Sequence, residues 1–309
     1  MLQRVSIRRN AERRTPIREP LTDRLFVGSI YFILSLVTIV VSYPLIYIVS
    51  ASFSAPSAVI SGKVWLLPVD PTLVAYKAIL QSPKLLAGFG NSLFYTVAGT
   101  MVSLVLSLLL AYPLSRRDLV GRGPIMFYLA VTLVIGGGLI PMYLTVKYFG
   151  MLDTRWAMII PGAISVWQVI IARTFFQTTI PDELSEAAEM DGSSDFRFFW
   201  QMVIPLSKPI IAVMGLMYAV GMWNSYFDAL IYLNDSKLFP LQLVLRSILV
   251  MNQVDPEMMR DAQQMIQAQG LSTLLKYSLI VVASAPVLIL YPFVQRFFIK
   301  GIMIGSLKG

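Results

Sequence analysis

Six stretches of this chain, at about 26–51, 88–112, 124–146, 156–175, 208–228 and 277–296, run apolar for roughly twenty residues or more each. Wound as an α-helix at about 1.5 Å per residue, a stretch of that length crosses a hydrocarbon layer of about 30 Å. The rest of the composition fits a lipid-facing chain. Of 309 residues, 56% are apolar and only 14% charged, where a soluble domain carries about 25% charge. So few charges cannot clothe a water-facing surface. The expected fold is therefore all-α: a polytopic membrane protein of six transmembrane helices.

The chain has no cysteine and no histidine. This excludes disulfides, thiol nucleophiles and zinc sites built on those ligands. Serine–histidine and cysteine–histidine catalysis go with them, as does histidine-ligated haem. No metal site and no catalytic residue is expected. A membrane-embedded enzyme would need convergent acids within the spans, and an ion-coupled transporter would need buried carboxylates there; the spans hold almost no ionisable groups.

The net charge of +8 is read from where the basic residues fall. Arg4, Arg8, Arg9, Arg13, Arg14, Arg18 and Arg24 crowd residues 1–25, which form a basic tail without the apolar core or cleavage site of a secretory signal. Arg116, Arg117, Arg122, Arg197, Lys300 and Lys308 fall in 113–123, 174–207 and 297–309. The intervening segments 52–87, 147–155 and 229–276 are together longer yet carry fewer basic residues. Positive loops mark the cytoplasmic side, so both termini are expected inside, and 229–276 outside. The charge then reports topology rather than a nucleic-acid footprint, and no nucleic-acid partner is expected.

Within the spans, Gly99, Ser103, Ser107 and Ala111 place a small residue every fourth position, a stripe where another backbone approaches closely. Gly136, Gly137, Gly138 and Pro141 predict a break in the third span. Pro286 and Pro292 predict bends in the last. In the outer segment, Asp255 to Gly270 reads as a helix capped at Asp255 and ended at Gly270, suited to docking an extracellular partner or to lying solvated.

The segment 174–207 is the most informative. It reads as two short helices, with Thr179 as N-cap and Asp182 and Glu183 in the first turn. Gly192 makes the turn and Ser193 or Ser194 caps the second helix. Phe196, Phe199, Trp200 and Val203 share one face there, and Pro205 ends it. An apolar face beside Glu186, Glu189 and Asp191 favours a groove in another protein over the anionic inner leaflet.

Here Glu186-Ala187-Ala188, then Asp191-Gly192, then Ile204-Pro205-Leu206 resemble the EAA signature of binding-protein-dependent ABC importer permeases. The run from Ser42 to Ser54, Asn91-Ser92, the glycine run to Pro141, Trp223 to Asp228, and Tyr291 to Gly301 with Lys308-Gly309 are similar to the carbohydrate-uptake, oligosaccharide branch. The resemblance covers nearly all of the chain beyond the tail. It implies a type I ABC importer permease fold over 26–296, in a bacterial plasma membrane. It implies a second homologous permease, two ATP-binding subunits and an extracellular sugar-binding lipoprotein as partners, with an oligosaccharide as cargo. It also implies that Glu186, Ala187, Ala188, Asp191, Gly192 and Pro205 couple the spans to the ATPase. This chain has no Walker lysine loop, so ATP and Mg are expected on the partner subunits and no cofactor here.

The fifth span ends Trp223, Asn224, Ser225, Tyr226, Phe227, Asp228. Aromatic faces stack on sugar C–H surfaces and the amide and carboxylate bond hydroxyls. In a continuous helix, Trp223 shares a face with Tyr226 and Phe227, and Asn224 with Asp228. An interfacial aromatic belt is the competing reading. Trp223, Asn224, Tyr226 and Asp228, together with Asn91, are the substrate-pathway candidates.

Overall fold

The computed structural model describes residues 21–249 and 265–306. The chain divides into two compact units, Met1–Tyr47 and Ile48–Gly309. The first contains most of helix α1 (Leu21–Ser52). Its hydroxyls fold back on their own helix, Ser29 Oγ donating to Phe26 O and Thr38 Oγ1 to Leu34 O, each at 2.7 Å. That satisfies donors which an apolar surrounding would leave unpaired.

In the second unit follow α2 (Pro56–Ile60), α3 (Val74–Gln81), α4 (Pro83–Ser115), α5 (Arg122–Val134), α6 (Leu139–Tyr148), α7 (Trp156–Ile159), α8 (Val166–Thr179) and α9 (Asp182–Met190). Then come α10 (Asp195–Phe198), a π-helical turn over Phe199–Val203, α11 (Ile204–Leu206), α12 (Lys208–Trp223), α13 (Tyr226–Tyr232), α14 (Leu241–Leu249) and α15 (Met265–Ser306). No strand occurs among the described residues.

Helix α4 is the hub. Ser82 caps it, its side chain accepting from Leu85 N, and its 33 residues extend about 50 Å. The small-residue stripe lies on its packed face: Ser103, Ser107 and Ala111 are fully buried. A Cβ at Gly99 would lie 2.8 Å from Met222 Sδ, and Ser107 Oγ and the Tyr218 hydroxyl are 2.6 Å apart. The close approach is thus to α12 of the same chain. Two apolar cores sit at opposite ends of α4. Leu108, Ala111 and Leu114 join Val169, Phe176, Phe199, Val203 and Met214 at its C-terminal end. Tyr95 joins Met158, Ile159, Leu233 and Leu243 nearer its start.

By length and apolarity α1, α4 and Ser272–Phe293 of α15 can each cross a membrane, and two bent pairs bring the number to five among the described residues. The third apolar segment breaks at its glycines: α5 and α6 meet at 116°, and Gly138 takes φ +80°, ψ 173°, a region open almost only to glycine. The fourth differs from a single rod. It is α7 and α8, parted at residues 160–165 around Pro161 and Gly162. The last runs through Pro286 and Pro292 as one helix.

Four local readings need correction. Thr179 is the last residue of α8 and not a cap, and α9 starts after Pro181 with no side-chain cap. Pro205 does not end the second short helix. It lies inside α11, and the chain turns by 81° at Ser207 instead, because Pro209 has no N–H for the Pro205 carbonyl and its ring clashes there. Gly270 lies within α15 rather than at a helix end; Asp255 is outside the described residues. The fifth span does not continue through 228. Ser225 adopts φ −76°, ψ 59° and Tyr226 N donates to Asn224 O at 2.8 Å, an inverse γ-turn that parts α12 from α13.

Candidate functional site: an acidic elbow and two polar cavities

The elbow is α9, its turn and α10. Two acids in its first turn, Asp182 and Glu183, suit the positive end of the helix. Its end is a Schellman motif: Ser193 N donates to Ala188 O and Gly192 N to Glu189 O, both at 2.9 Å, with Gly192 at φ +72°. Ser194 caps the next helix, accepting from Arg197 N. A proline-rich exit then fixes the angle at which α12 leaves.

Burial divides the elbow into a rooted side and a free side. Ser185, Phe198, Phe199 and Val203 are buried, with Leu184 and Ala188 packed against the same core. Glu186, Ala187, Glu189, Asp191 and Gly192 are exposed, as are Met190 at 88%, Phe196 at 69% and Trp200 at 45%. The apolar face expected from Phe196, Phe199, Trp200 and Val203 is therefore split. Phe198, Phe199 and Val203 turn inward and Phe196 and Trp200 outward, their rings 6.2 Å apart, with the π-turn over Phe199–Val203 departing from the regular repeat between them.

The root is tied to the end of α4. Asp182 lies 3.6 Å from Arg116 and 3.4 Å from Arg117. From α8, Arg173 Nε donates to Leu114 O at 2.9 Å and Gln177 Nε2 to Ser115 O at 3.3 Å. Tyr112 stands 5.0 Å from the Phe199 ring. The root of the elbow is thus held by α4, α8 and α12 together.

The five pathway candidates are not gathered into one site. Trp223, Asn224 and Tyr226 line a cavity of about 550 Å³ with Gln242, Arg246 and α15. Asp228 faces a second, of about 390 Å³, with Gln168, Ser165, Tyr218, Met222 and Tyr232. Both lie in the range of small-molecule sites, about 300–1,000 Å³. The expected pairing of Asn224 with Asp228 fails because helical i, i+4 spacing does not extend across the γ-turn at Ser225. Asn91 lines neither: its Nδ2 donates to Lys237 O at 2.7 Å and Phe239 O at 3.1 Å, clamping the chain ahead of α14. Trp223 is 4% exposed, with its Nε1 on Ala283 O at 2.9 Å and its ring edge-on to Phe89 at 5.7 Å.

Sequence reasoning missed Gln168, Gln242 and Arg246. Gln168 is 7% exposed; the signal for it was one amide inside an apolar run. Gln242 and Arg246 interrupt an amphipathic run at i, i+4, which points them together. No group of three or more acids converges as a metal site among the described residues.

Comparison with known proteins places this geometry among transporters. Residues 103–304 match the family described as binding-protein-dependent transport system inner membrane component. The chain is 43% identical over 288 residues to the polygalacturonan/rhamnogalacturonan transport system permease protein YtcP of Bacillus subtilis, covering 93% of this chain and 99% of that one. It is 41% identical over 267 residues to Protein LplC of the same organism, covering 86% and 89%. Its fold is similar to a chain in the crystal structure of a bacterial ABC transporter that imports the acidic polysaccharide alginate. The TM-score there is 0.86 at 34% identity, over 92% of this chain and 100% of that one.

Proposed function

The chain belongs to the family of binding-protein-dependent transport system inner membrane components, and on that premise we propose that it forms half of the channel of an ATP-driven oligosaccharide importer. It is a transport subunit of a bacterial plasma membrane and not an enzyme. Its similarity to a polygalacturonan/rhamnogalacturonan permease and to an alginate importer supports a carbohydrate cargo. A second homologous permease completes the channel, and an extracellular sugar-binding lipoprotein delivers the sugar. Six spans cross the bilayer with both termini in the cytoplasm, so that the elbow at 174–207 faces inward and 229–276 outward.

The observation that carries the coupling role is the two-sided elbow. Its free side offers Glu186, Glu189 and Asp191 with Met190 and Phe196, a charged and apolar combination that suits a groove on one ATP-binding partner. Its rooted side reaches three long helices through salt bridges and a shared core. ATP and Mg are held by those partners. Closure of the ATPase pair on ATP then biases the channel between two states through a rigid handle, with exposed Ala187 letting the groove wall approach, Ala188 packing the elbow onto its root, Gly192 setting the turn and Pro205 shaping the exit.

The test uses the whole importer purified through a tag on this chain and reconstituted into liposomes. Glu186→Lys and Gly192→Asp are expected to abolish sugar uptake while the chain still inserts and the partner permease still co-purifies. Uptake at the native rate by both variants, or a native complex that contains no ATPase, would refute the coupling role.

A further inference from the structure

We propose that the groove between α12, α14 and α15 binds the carboxylate of an acidic sugar, with Arg246 as its counter-ion. This rests on the carbohydrate-importer reading and adds the class of sugar.

Helix α14 turns its apolar side inward, with Leu241, Val244, Leu245 and Ile248 all buried. Gln242 and Arg246, one turn apart, are half-buried and line the groove with Trp223, Asn224 and Tyr226. The guanidinium offers five N–H donors and no acceptor. Among the described residues Arg246 makes no ion pair, and no acid lines this groove. A half-buried guanidinium with no acid beside it among the described residues turns its N–H donors to the groove, where an incoming anion accepts them better than water does. Its planar fork matches a carboxylate at two points, which a lysine does not.

The rest of the groove suits a sugar ring. The Trp223 indole is buried and fixed by its bond to Ala283 O, so it forms a rigid floor, and Tyr226, 44% exposed, offers the open aromatic face. Rigid aromatic faces pack on the C–H side of a pyranose at little entropic cost. Asn224 commits an N–H to Val220 O at 2.8 Å and keeps its amide oxygen for a hydroxyl, while Gln242 supplies both donor and acceptor. The neighbouring cavity is the opposite: it holds Asp228 and no basic residue, which repels a carboxylate. Charge therefore favours one of the two cavities for an acidic sugar.

The complete importer in liposomes is given trigalacturonate and, separately, its carboxyl-reduced trigalactoside. The wild type is expected to take up the acid in preference. In Arg246→Gln the ratio of acid to neutral uptake at limiting sugar is expected to fall about tenfold, the equivalent of about 1.4 kcal/mol. Arg246→Lys should restore part of it. Gln242→Glu, which sets a carboxylate one turn away while leaving Arg246 in place, should lower the ratio as well. An unchanged ratio, or equal loss of both sugars in all three variants, overturns the assignment. A wild type that imports only the trigalactoside overturns it too and leaves the carbohydrate reading standing. A wild type whose ATPases turn over but which moves neither sugar overturns the carbohydrate reading itself and the assignment with it.

Discussion

Single polar side chains hold the ends of this bundle together by bonding to backbone groups that helices leave unpaired. Asn91, Tyr95 and Ser92 on α4 bond Lys237 O, Leu238 O and Leu241 N across about 150 residues of sequence. Asp153 does the same between the turn after α6 and the one after α13. Its Oδ1 accepts from Asn234 N at 2.9 Å and Asp235 N at 2.8 Å, and its own N–H donates to Tyr232 O. The Asp235 amide, and then that of Asn234, hold the Asp153 carboxyl below its ordinary value. A group whose folded pKa is depressed adds stability that is present above its unfolded value, about 3.9, and is lost as pH falls through the folded value. The carboxylate is fully exposed, so the contribution is small and screened. The purified importer should therefore show an acid-side fall in melting temperature below about pH 4 that is shallower in Asp153→Asn. An identical slope in the variant would show that the two amide bonds do not distinguish the ionised from the protonated carboxyl.

At the scale of elements, legibility followed how local the cause was. The break between α5 and α6 was readable because Gly136, Gly137, Gly138 and Pro141 act on their own backbone. The Gly192 turn was readable for the same reason. The 81° bend at Ser207 was misplaced by two residues, since two prolines stand near it and the bend falls after Leu206, just ahead of Pro209. The γ-turn at Ser225 carries no breaker residue at all. It forms where Asn224 Nδ2 competes with the backbone for Val220 O and Ser225 Oγ takes Met222 O, an outcome propensity does not specify. That one turn is why the pathway candidates were grouped wrongly, with Asp228 sent to a different cavity. Arg246 was overlooked because its meaning depends on α14 docking beside Trp223. The glycine break yields a clean expectation. Gly138, in a region that L-residues avoid and with open space around it, should lose about 1–3 kcal/mol on replacement by alanine. Gly136→Ala and Gly137→Ala, also in open space but without a positive φ, should melt within about 1 kcal/mol of the native protein, glycine being a poorer choice than alanine where no special φ is needed. Equal melting temperatures for all three variants would remove the strain argument.

Across the whole molecule, α4 meets the elbow at one end and packs on α14 toward the other, so the contacts along it fix where both are held. Two glycines mark the closest contacts and differ in kind. A Cβ on Gly88 would meet Val244 Cγ2 at 3.2 Å and the Leu241 backbone at 3.4 Å. The backbone of α14 cannot yield without moving Gln242 and Arg246. At Gly99 the obstacle is the thioether end of Met222, at 2.8 Å, a flexible group that also borders the 390 Å³ cavity and can swing into it. Gly88→Val should therefore cost about 1–3 kcal/mol through overpacking and displace α14, lowering uptake of an acidic sugar together with the melting temperature. Gly99→Ala should leave the melting temperature within about 1 kcal/mol of native and alter uptake only by narrowing the cavity that holds Asp228. Melting curves and uptake rates of both variants decide this. If Gly99→Ala melts as low as Gly88→Val, the α4–α12 contact is as rigid as the α4–α14 one. The two cavities would then be set by a single inflexible frame rather than by one fixed wall and one that can give.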